Sequence, residues 1–518
     1  MAQSFPSVTA NINSSLNPQT PSGRSILLTG AMVSGTATSG ALIEDLTSEA
    51  DFNNAFGRTS QIAKAGRSLI EALSISRVRP TISAIGLEDN VAGVAATGTV
   101  AFTGTATAAG TITVYVDSMR NGKYELNVAI GDTAATIGAA FEAAVTANLD
   151  SPVTAVDTTG SVVLTAVNDG TQGNTIGLKF DAGNTAGITV TLTAFASGAT
   201  DPSLTNLFDP VADKRYTTIV YPAEWGTSTL TDFTEARFNV DNKVLDGQGL
   251  VSVTDTYANG NSALDALNLK TLAYIPNKIS TADAHKGGAI FESPIVIAAQ
   301  AAAYRDLRLT VAANTSSIVT NGQGVGGSFF GGIPYHNTPF ILLPIIETGL
   351  DFTDAEALEI ENSGGWLLRN NPANTAIISN EAVTTYKTDA LGNPDVTFKY
   401  LNYVDTLSIV RDYVFQNLKA DLSQHILTTG QLIAGRPMVN AEGFVATMMK
   451  YYAALSGING DNEYVLLRAG TDEAAAFKTA IEDSIVIDLA LGKITADSIA
   501  NIVTQVRQII INFTPTFE

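Results

Sequence analysis

Between residues 91 and 200 the chain runs in short stretches of alternating apolar and polar residues, and this segment carries only 11 charged side chains. A period of two puts successive side chains on opposite faces of a strand, so such runs fit half-buried strands and do not fit helices. Thr111–Val116, Tyr124–Val128, Val162–Ala166 and Ile188–Leu192 are the clearest runs, and Asn121-Gly122 between the first two is a tight-turn signal. One helix is expected inside the segment, from Ala134 to Leu149, with Ile137, Phe141 and Val145 on one face. Residues 91–200 therefore read as a β-rich, sandwich-like domain.

The sequence on either side has a different rhythm. Ser25–Thr29 reads as a buried strand, Phe52 to Leu73 as helix and Ile75–Ile85 as a second strand. After residue 204 the alternation of strand and helix returns. Strands are expected at Thr217–Tyr221, Leu250–Val253 and Leu272–Ile275, with helices at Leu230–Leu245 and Pro294–Leu309. The simplest account is one α/β core interrupted by a β-rich insertion, which a surface loop tolerates when its ends lie close together.

The last region begins near Asp351. Thr353 is placed to cap a short helix, and a long helix from Tyr400 to about Leu427 presents Tyr403, Leu407, Val410, Val414, Leu418, Leu422 and Ile426 on one face. Both ends of the chain read as arms. The first two dozen residues are polar, and the last residues contain the β-branched run Ile509-Ile510-Ile511-Asn512-Phe513, with little chain left to cover it. The resulting division is 1–24 as an N-terminal arm, 25–90 with 201–350 as the split α/β core, 91–200 as the insertion, 351–507 as an α+β domain and 508–518 as a strand-like arm.

Composition narrows the function. A net charge of −21 argues against direct binding to nucleic acid, because phosphate recognition needs a basic face. With no cysteine in 518 residues, disulfides, thiolate metal sites and cysteine nucleophiles are excluded. Met1 to Pro6 lacks the basic-then-apolar pattern of a secretion signal, and the apolar runs Pro339–Ile346 and Ile295–Ala303 are too short to span a bilayer.

Motifs for catalysis fail on context. Gly322-Gln323-Gly324-Val325-Gly326-Gly327 fits a dinucleotide fingerprint formally, but Ser328 to Pro334 cannot begin the helix that the fingerprint requires. Ser328 lacks the final glycine of a nucleophile elbow. His285, His336 and His425 are widely spaced and have no metal-ligand pattern, and the acidic residues from Asp351 to Glu361 lack the spacing of a calcium loop. The expectation is a protein without enzymatic activity or cofactor.

Several ordered blocks resemble the tail sheath proteins of contractile bacteriophages, especially the Mu-like branch. Ile26-Leu27-Leu28-Thr29-Gly30 is followed by Thr47-Ser48-Glu49-Ala50-Asp51 and by Phe56-Gly57-Arg58-Thr59-Ser60. In the insertion, Val153-Thr154-Ala155 and Val163-Leu164-Thr165-Ala166 precede Asn168-Asp169-Gly170-Thr171-Gln172-Gly173-Asn174. Later come Phe352-Thr353-Asp354-Ala355-Glu356, Glu361-Asn362, Thr384-Thr385-Tyr386, Gly392-Asn393-Pro394-Asp395, and a helix with Tyr403, Asp405, Thr406, Leu407 and Arg411. The N-terminal arm departs from the family's strand-like pattern.

The resemblance implies a multidomain α/β and α+β protein: a subtilisin-like sheath core split by the insertion, a C-terminal domain, and terminal arms. It implies a subunit that polymerises with itself as a six-fold helical homo-oligomer around a tail tube protein, meets baseplate and tail terminator proteins, and contracts. Such a protein would reside in the virion tail after assembly in the host cytoplasm, without stable membrane insertion. Neighbouring subunits would be linked by exchanged strands, for which Ile509, Ile510, Ile511, Asn512 and Phe513 are the candidates, and Arg411 and Lys419 are candidate tube-facing charges. The alternatives are the sheath of a phage-tail-like injection system, a hydrolase on the subtilisin-like fold, or a surface-layer or adhesin protein.

Overall fold

The computed structural model describes residues 24–75, 79–238, 240, 243–280, 287–309, 339–340, 342–347, 349–456, 467, 470–490 and 493–498. They divide between two compact units, one holding residues up to 307 together with 335–401, the other holding 308–309 and the residues from 402 onward.

The first unit begins with β1 (Ser25–Met32), buried at all eight positions as its apolar run requires of a central parallel strand. The two-residue strand β2 (Leu42–Ile43), helix α1 (Glu49–Phe56), helix α2 (Gln61–Ala72) and strand β3 (Thr81–Glu88) follow. Ser48 caps α1 in a reciprocal capping box with Asp51, which gives the Thr47–Asp51 block its physical meaning. Gly57, at φ 81°, ends α1, and Ser60 caps α2 three residues later. The expected strand from Ile75 starts at Thr81 instead, because the chain leaves α2 through a 3-10 turn at Leu73–Ile75.

The inserted segment supplies β4 (Ala95–Ala108), β5 (Gly110–Val116), β6 (Lys123–Val128), helix α3 (Ala134–Ala147), β7 (Val153–Thr158), β8 (Ser161–Asp169), β9 (Leu178–Asp181) and β10 (Ala186–Ala196). They form a four-stranded sheet in the order β10-β4-β8-β7 and a three-stranded sheet in the order β6-β5-β9. One apolar core serves both sheets and α3. Phe141 of α3 meets Phe102 and Tyr124 edge-on, with ring centroids 6.2 and 5.7 Å apart. The β5–β6 hairpin is present, but residues 117–122 make a longer connection than the tight turn read from Asn121-Gly122.

The chain then returns to the first sheet with β11 (Thr218–Val220), α4 (Ser228–Arg237), β12 (Gln248–Asp255), α5 (Tyr257–Asp265), β13 (Leu272–Lys278) and α6 (Pro294–Leu309). The sheet order is β13-β12-β11-β1-β3-β2, parallel throughout except for β2. Strands from both sides of the insertion thus flank β1. Helix α4 is shorter than expected, because Phe238 turns to extended backbone and closes it.

Strand β14 (Pro339–Phe340), helix α7 (Asp354–Asn362), β15 (Leu368–Asn370) and β16 (Ile377–Ser379) complete this unit, the strands forming a small antiparallel sheet. Thr353 and Glu356 make a second capping box. The Trp366 N–H donates to the Tyr274 carbonyl at 2.8 Å and the Thr385 N–H to that of Leu272 at 2.9 Å, covering the β13 edge.

The second unit holds most of α8 (Leu401–Leu422), then β17 (Ile426–Leu427), β18 (Met438–Val439), α9 (Ala441–Ser456), α10 (Thr471–Ser484), β19 (Val486–Asp488) and β20 (Lys493–Thr495). The long helix ends at Leu422, five residues before the expected Leu427. Ile426 is 54% exposed and belongs to β17, paired with Met438. Val404, Leu407, Val410, Val414, Leu418 and Leu422 are buried along α8, and so are Asp405, Thr406 and Arg411 of the family-like block.

Candidate functional site at the junction of the inserted segment and the parallel sheet

Parallel α/β sheets bind ligands at the carboxyl ends of their strands, where the strand order reverses. Here the reversal lies between β1 and β11, which are neighbours although the chain leaves β1 towards β3. The carboxyl ends of these strands are packed against loops of the inserted segment, and that contact is rich in buried polar groups, among them Asp117, Ser118, Asn168 and Gln172.

The Asn168–Asn174 block forms one half of the contact. The Asn168 carboxamide donates to the Met32 carbonyl at the end of β1 and to Asp89 just beyond β3, both at 3.1 Å, and accepts from the Gln61 N–H at 3.0 Å. The Asp169 N–H donates to Asp89 at 3.0 Å. Burial raises the Asp89 carboxyl above its usual range, and the bonds from Asp169 and Asn168 pull the other way. The Thr171 N–H and hydroxyl reach Asp201 at 2.7 and 2.9 Å. Trp225, at the end of the 3-10 turn Ala223–Trp225 that follows β11, donates its indole N–H to Gln172 at 3.1 Å. Asn174 holds the loop through paired bonds with Gly198 of 2.9 and 2.8 Å. The block that carried a family resemblance is thus, physically, the plug that seats the insertion on the sheet.

Charged groups make the other half. The Lys64 ammonium on α2 contacts Asp117, in the connection between β5 and β6, and Glu292, just before α6, the latter at 3.2 Å. The side chains are 11%, 6% and 6% exposed. Ser118 donates to Glu292 at 2.7 Å. Burial opposes the Lys64 charge, but Asp117 and Glu292 outweigh it and hold the ammonium above the usual lysine range. Burial also raises Glu292, against the pull of Lys64 and with a push from Asp117. The long connection 117–122 is explained by this reach, since a tight turn could not deliver Asp117 and Ser118 to α2 and Glu292.

Glu224 lies between the two halves, beside Trp225. Its Oε2 is buried without a hydrogen-bond partner. Burial, with Asp201 and Asp117 adding to it, pushes the carboxyl up to about 7, against a bond from its own backbone N–H. A cavity of about 40 Å³ opens beside the cluster, lined among others by Lys64, Asp117, Asn168, Gln172 and Ser293. That volume suits a few water molecules and no substrate. Peripheral pairs join the same two bodies: Arg58 and Arg67 to Asp150, and Arg120 to Glu71.

What this arrangement does chemically is hold two bodies together. It offers no serine, histidine and carboxylate in mutual reach, and among the described residues no group of three or more metal-ligating side chains comes together. No described helix is long and apolar enough to cross a membrane. Of the sequence-derived candidates, Arg411 is buried on α8, at 5% exposure, and Lys419 is half-buried two turns later. Ile509 to Phe513 lie outside the described residues, as do His285, His336, Ser328 and the glycine-rich stretch 322–327. His425 is exposed in the turn before β17. Sequence reasoning passed over Lys64, Asp117, Glu224 and Glu292, which are far apart along the chain and sit in no motif.

No family model matches the chain. In sequence it is 26% identical over 222 residues to the Mu-like prophage FluMu tail sheath protein of Haemophilus influenzae, a match that spans 42% of this chain and 42% of that protein. Among solved structures, the sheath tail protein from Listeria innocua is 14% identical with a TM-score of 0.46, covering 94% of this chain and 93% of that one. The sheath tail protein from Desulfitobacterium hafniense is 12% identical with a TM-score of 0.41, covering 85% and 88%. A chain of the anti-feeding prophage baseplate is 8% identical with a TM-score of 0.46, covering 97% and 96%. By sequence, the chain is similar to a phage tail sheath protein of the Mu-like kind.

Proposed function

We propose that the chain is a structural subunit of a contractile phage tail sheath. The observation that carries this reading is the 222-residue similarity to a tail sheath protein. In this reading the split core is the subtilisin-like body of the sheath subunit, copies polymerise as stacked six-fold rings around the tail tube, and contraction drives the tube through the host envelope. A contact repeated head to tail without closure produces such a helical lattice. The subunit would be assembled in the host cytoplasm, end in the virion tail, and meet baseplate and tail terminator proteins at the sheath ends.

The linkage between subunits would be strand exchange. The pairs β17–β18 and β19–β20 are two-stranded sheets, and each has open edges among the described residues. An open edge is a template for a strand from another chain, and the β-branched run Ile509–Phe513 has the composition of such a strand. Of the two charges on α8, Lys419 has surface to offer an acidic tube, while Arg411 would first have to be uncovered by a movement of its surroundings. No nucleotide is required, since the two states would be two packings of one sequence. Electron microscopy of the purified protein tests the reading. Tubes with a helical lattice are expected, and flat arrays or monomers would overturn it.

A further inference from the structure

We propose that the junction between the inserted segment and the parallel sheet is a proton-operated latch, held shut while Glu224 is neutral and loosened when it ionises. Two cations act on this buried cluster: the Lys64 ammonium, already shared by Asp117 and Glu292, and the Arg120 guanidinium, which acts on Glu292 while paired with Glu71. Glu224 faces Asp201, which follows β10, and Asp117, and its Oε2 has no donor. Asp89 after β3 and Asp169 on β8 add two more carboxyls along the same seam. Negative charge at Glu224 would therefore be buried, unpaired and surrounded by like charge, which a neutral acid avoids.

The location turns this into a mechanical effect. Glu224 lies on the turn Ala223–Trp225, whose neighbour Trp225 holds Gln172, and whose backbone carbonyl at Glu224 lies 3.2 Å from the Thr171 hydroxyl. Displacing that turn breaks the contacts of Gln172 and Thr171 and leaves the plug held to the sheet by Asn168 and Asp169. A carboxyl raised to about 7 in the folded state favours the closed junction in full only below its ordinary value near 4.3; the contribution falls as pH rises from there and is gone above about 7. The latch therefore shuts in mild acid and opens as pH approaches neutrality, opposite to an ordinary salt-bridged carboxylate. Because the seam joins the inserted segment to the core, its state decides whether the two move as one body or separately.

The absence of cysteine makes the test direct. Cysteines at Asn54→Cys on α1 and Val156→Cys on β7, both exposed positions, carry spin labels in the full-length protein. Double electron–electron resonance reads the distance distribution across the junction. A narrow distribution at about pH 5 that broadens progressively up to about pH 7.5 and changes little above it is expected. In the same labelled protein Glu224→Gln should stay narrow at both values. Equal widths at both pH values in the parent, or a variant that broadens like the parent, overturns the latch. If Glu224→Gln disturbs folding, Glu224→Leu takes its place under the same criteria, with circular dichroism separating loosening from unfolding.

Discussion

Replacing Lys64 by methionine removes the one ammonium of the buried cluster and keeps most of its volume. The magnitude can be worked from the contacts. At 3.2 Å and an effective dielectric of about 20, the attraction to Glu292 is of order 5 kcal/mol, before the desolvation of the ammonium is subtracted. The loss on mutation has a ceiling, because a stranded carboxylate takes up a proton. Holding a glutamic acid neutral at pH 7 costs about 1.4 kcal/mol for each unit above its ordinary value near 4.3, so at most about 4 kcal/mol, and less to the extent that burial already raises Glu292 in the parent. That falls in the range of about 3–5 kcal/mol for breaking a buried pair. The ceiling falls with pH, to about 1 kcal/mol at pH 5, because less work is then needed to protonate the acid. Urea unfolding of the parent and of Lys64→Met across this pH range measures it, followed at Trp225, one of only two tryptophans and the one at the junction. The expected signature is a penalty that grows with pH by roughly 1.4 kcal/mol per unit. A penalty independent of pH, or below about 1 kcal/mol at neutral pH, would refute the reasoning. Partial transitions are informative too, since a chain of two compact units need not unfold in one step.

Two further substitutions probe the plug. Gly173→Ala would place a Cβ 2.8 Å from that of Ala96 and 3.0 Å from that of Ala166, so the loop must shift; a loss of about 1–3 kcal/mol is expected, read by thermal unfolding. Trp225→Phe keeps a ring against Tyr221 but leaves the Gln172 carboxamide oxygen without its donor, which should cost about 1–3 kcal/mol in the same assay.

Much of the local structure was legible because its causes are local. The capping boxes at Ser48 and Thr353 depend on residues three apart, and both helices start where those residues place them. The alternating runs between 91 and 200 became strands because one face of each is buried against α3 or the facing sheet. Ends were read less well. Periodicity carried the long helix on to Leu427, whereas Ile426 pairs with Met438, a partner twelve residues away that periodicity cannot register. The junction was not legible at all. Lys64, Asp117 and Glu292 are separated by 53 residues or more and meet only because helix α2 and two connections converge. The Asn168–Asn174 block did stand out, but as a resemblance, and its hydrogen bonds supply the reason for its composition. Asparagine and glutamine amides bridge backbone groups of two bodies, and Gly173 admits the close approach of Ala96 and Ala166.

The central claim is that this chain builds a sheath by joining copies through its terminal strands. Electron microscopy of the purified full-length protein, beside a version ending at residue 507, tests it most directly. The account predicts helical tubes from the full chain and folded, unassembled subunits from the shortened one. Normal tubes from the shortened chain would contradict the strand exchange, and an absence of tubes from both would contradict the sheath itself.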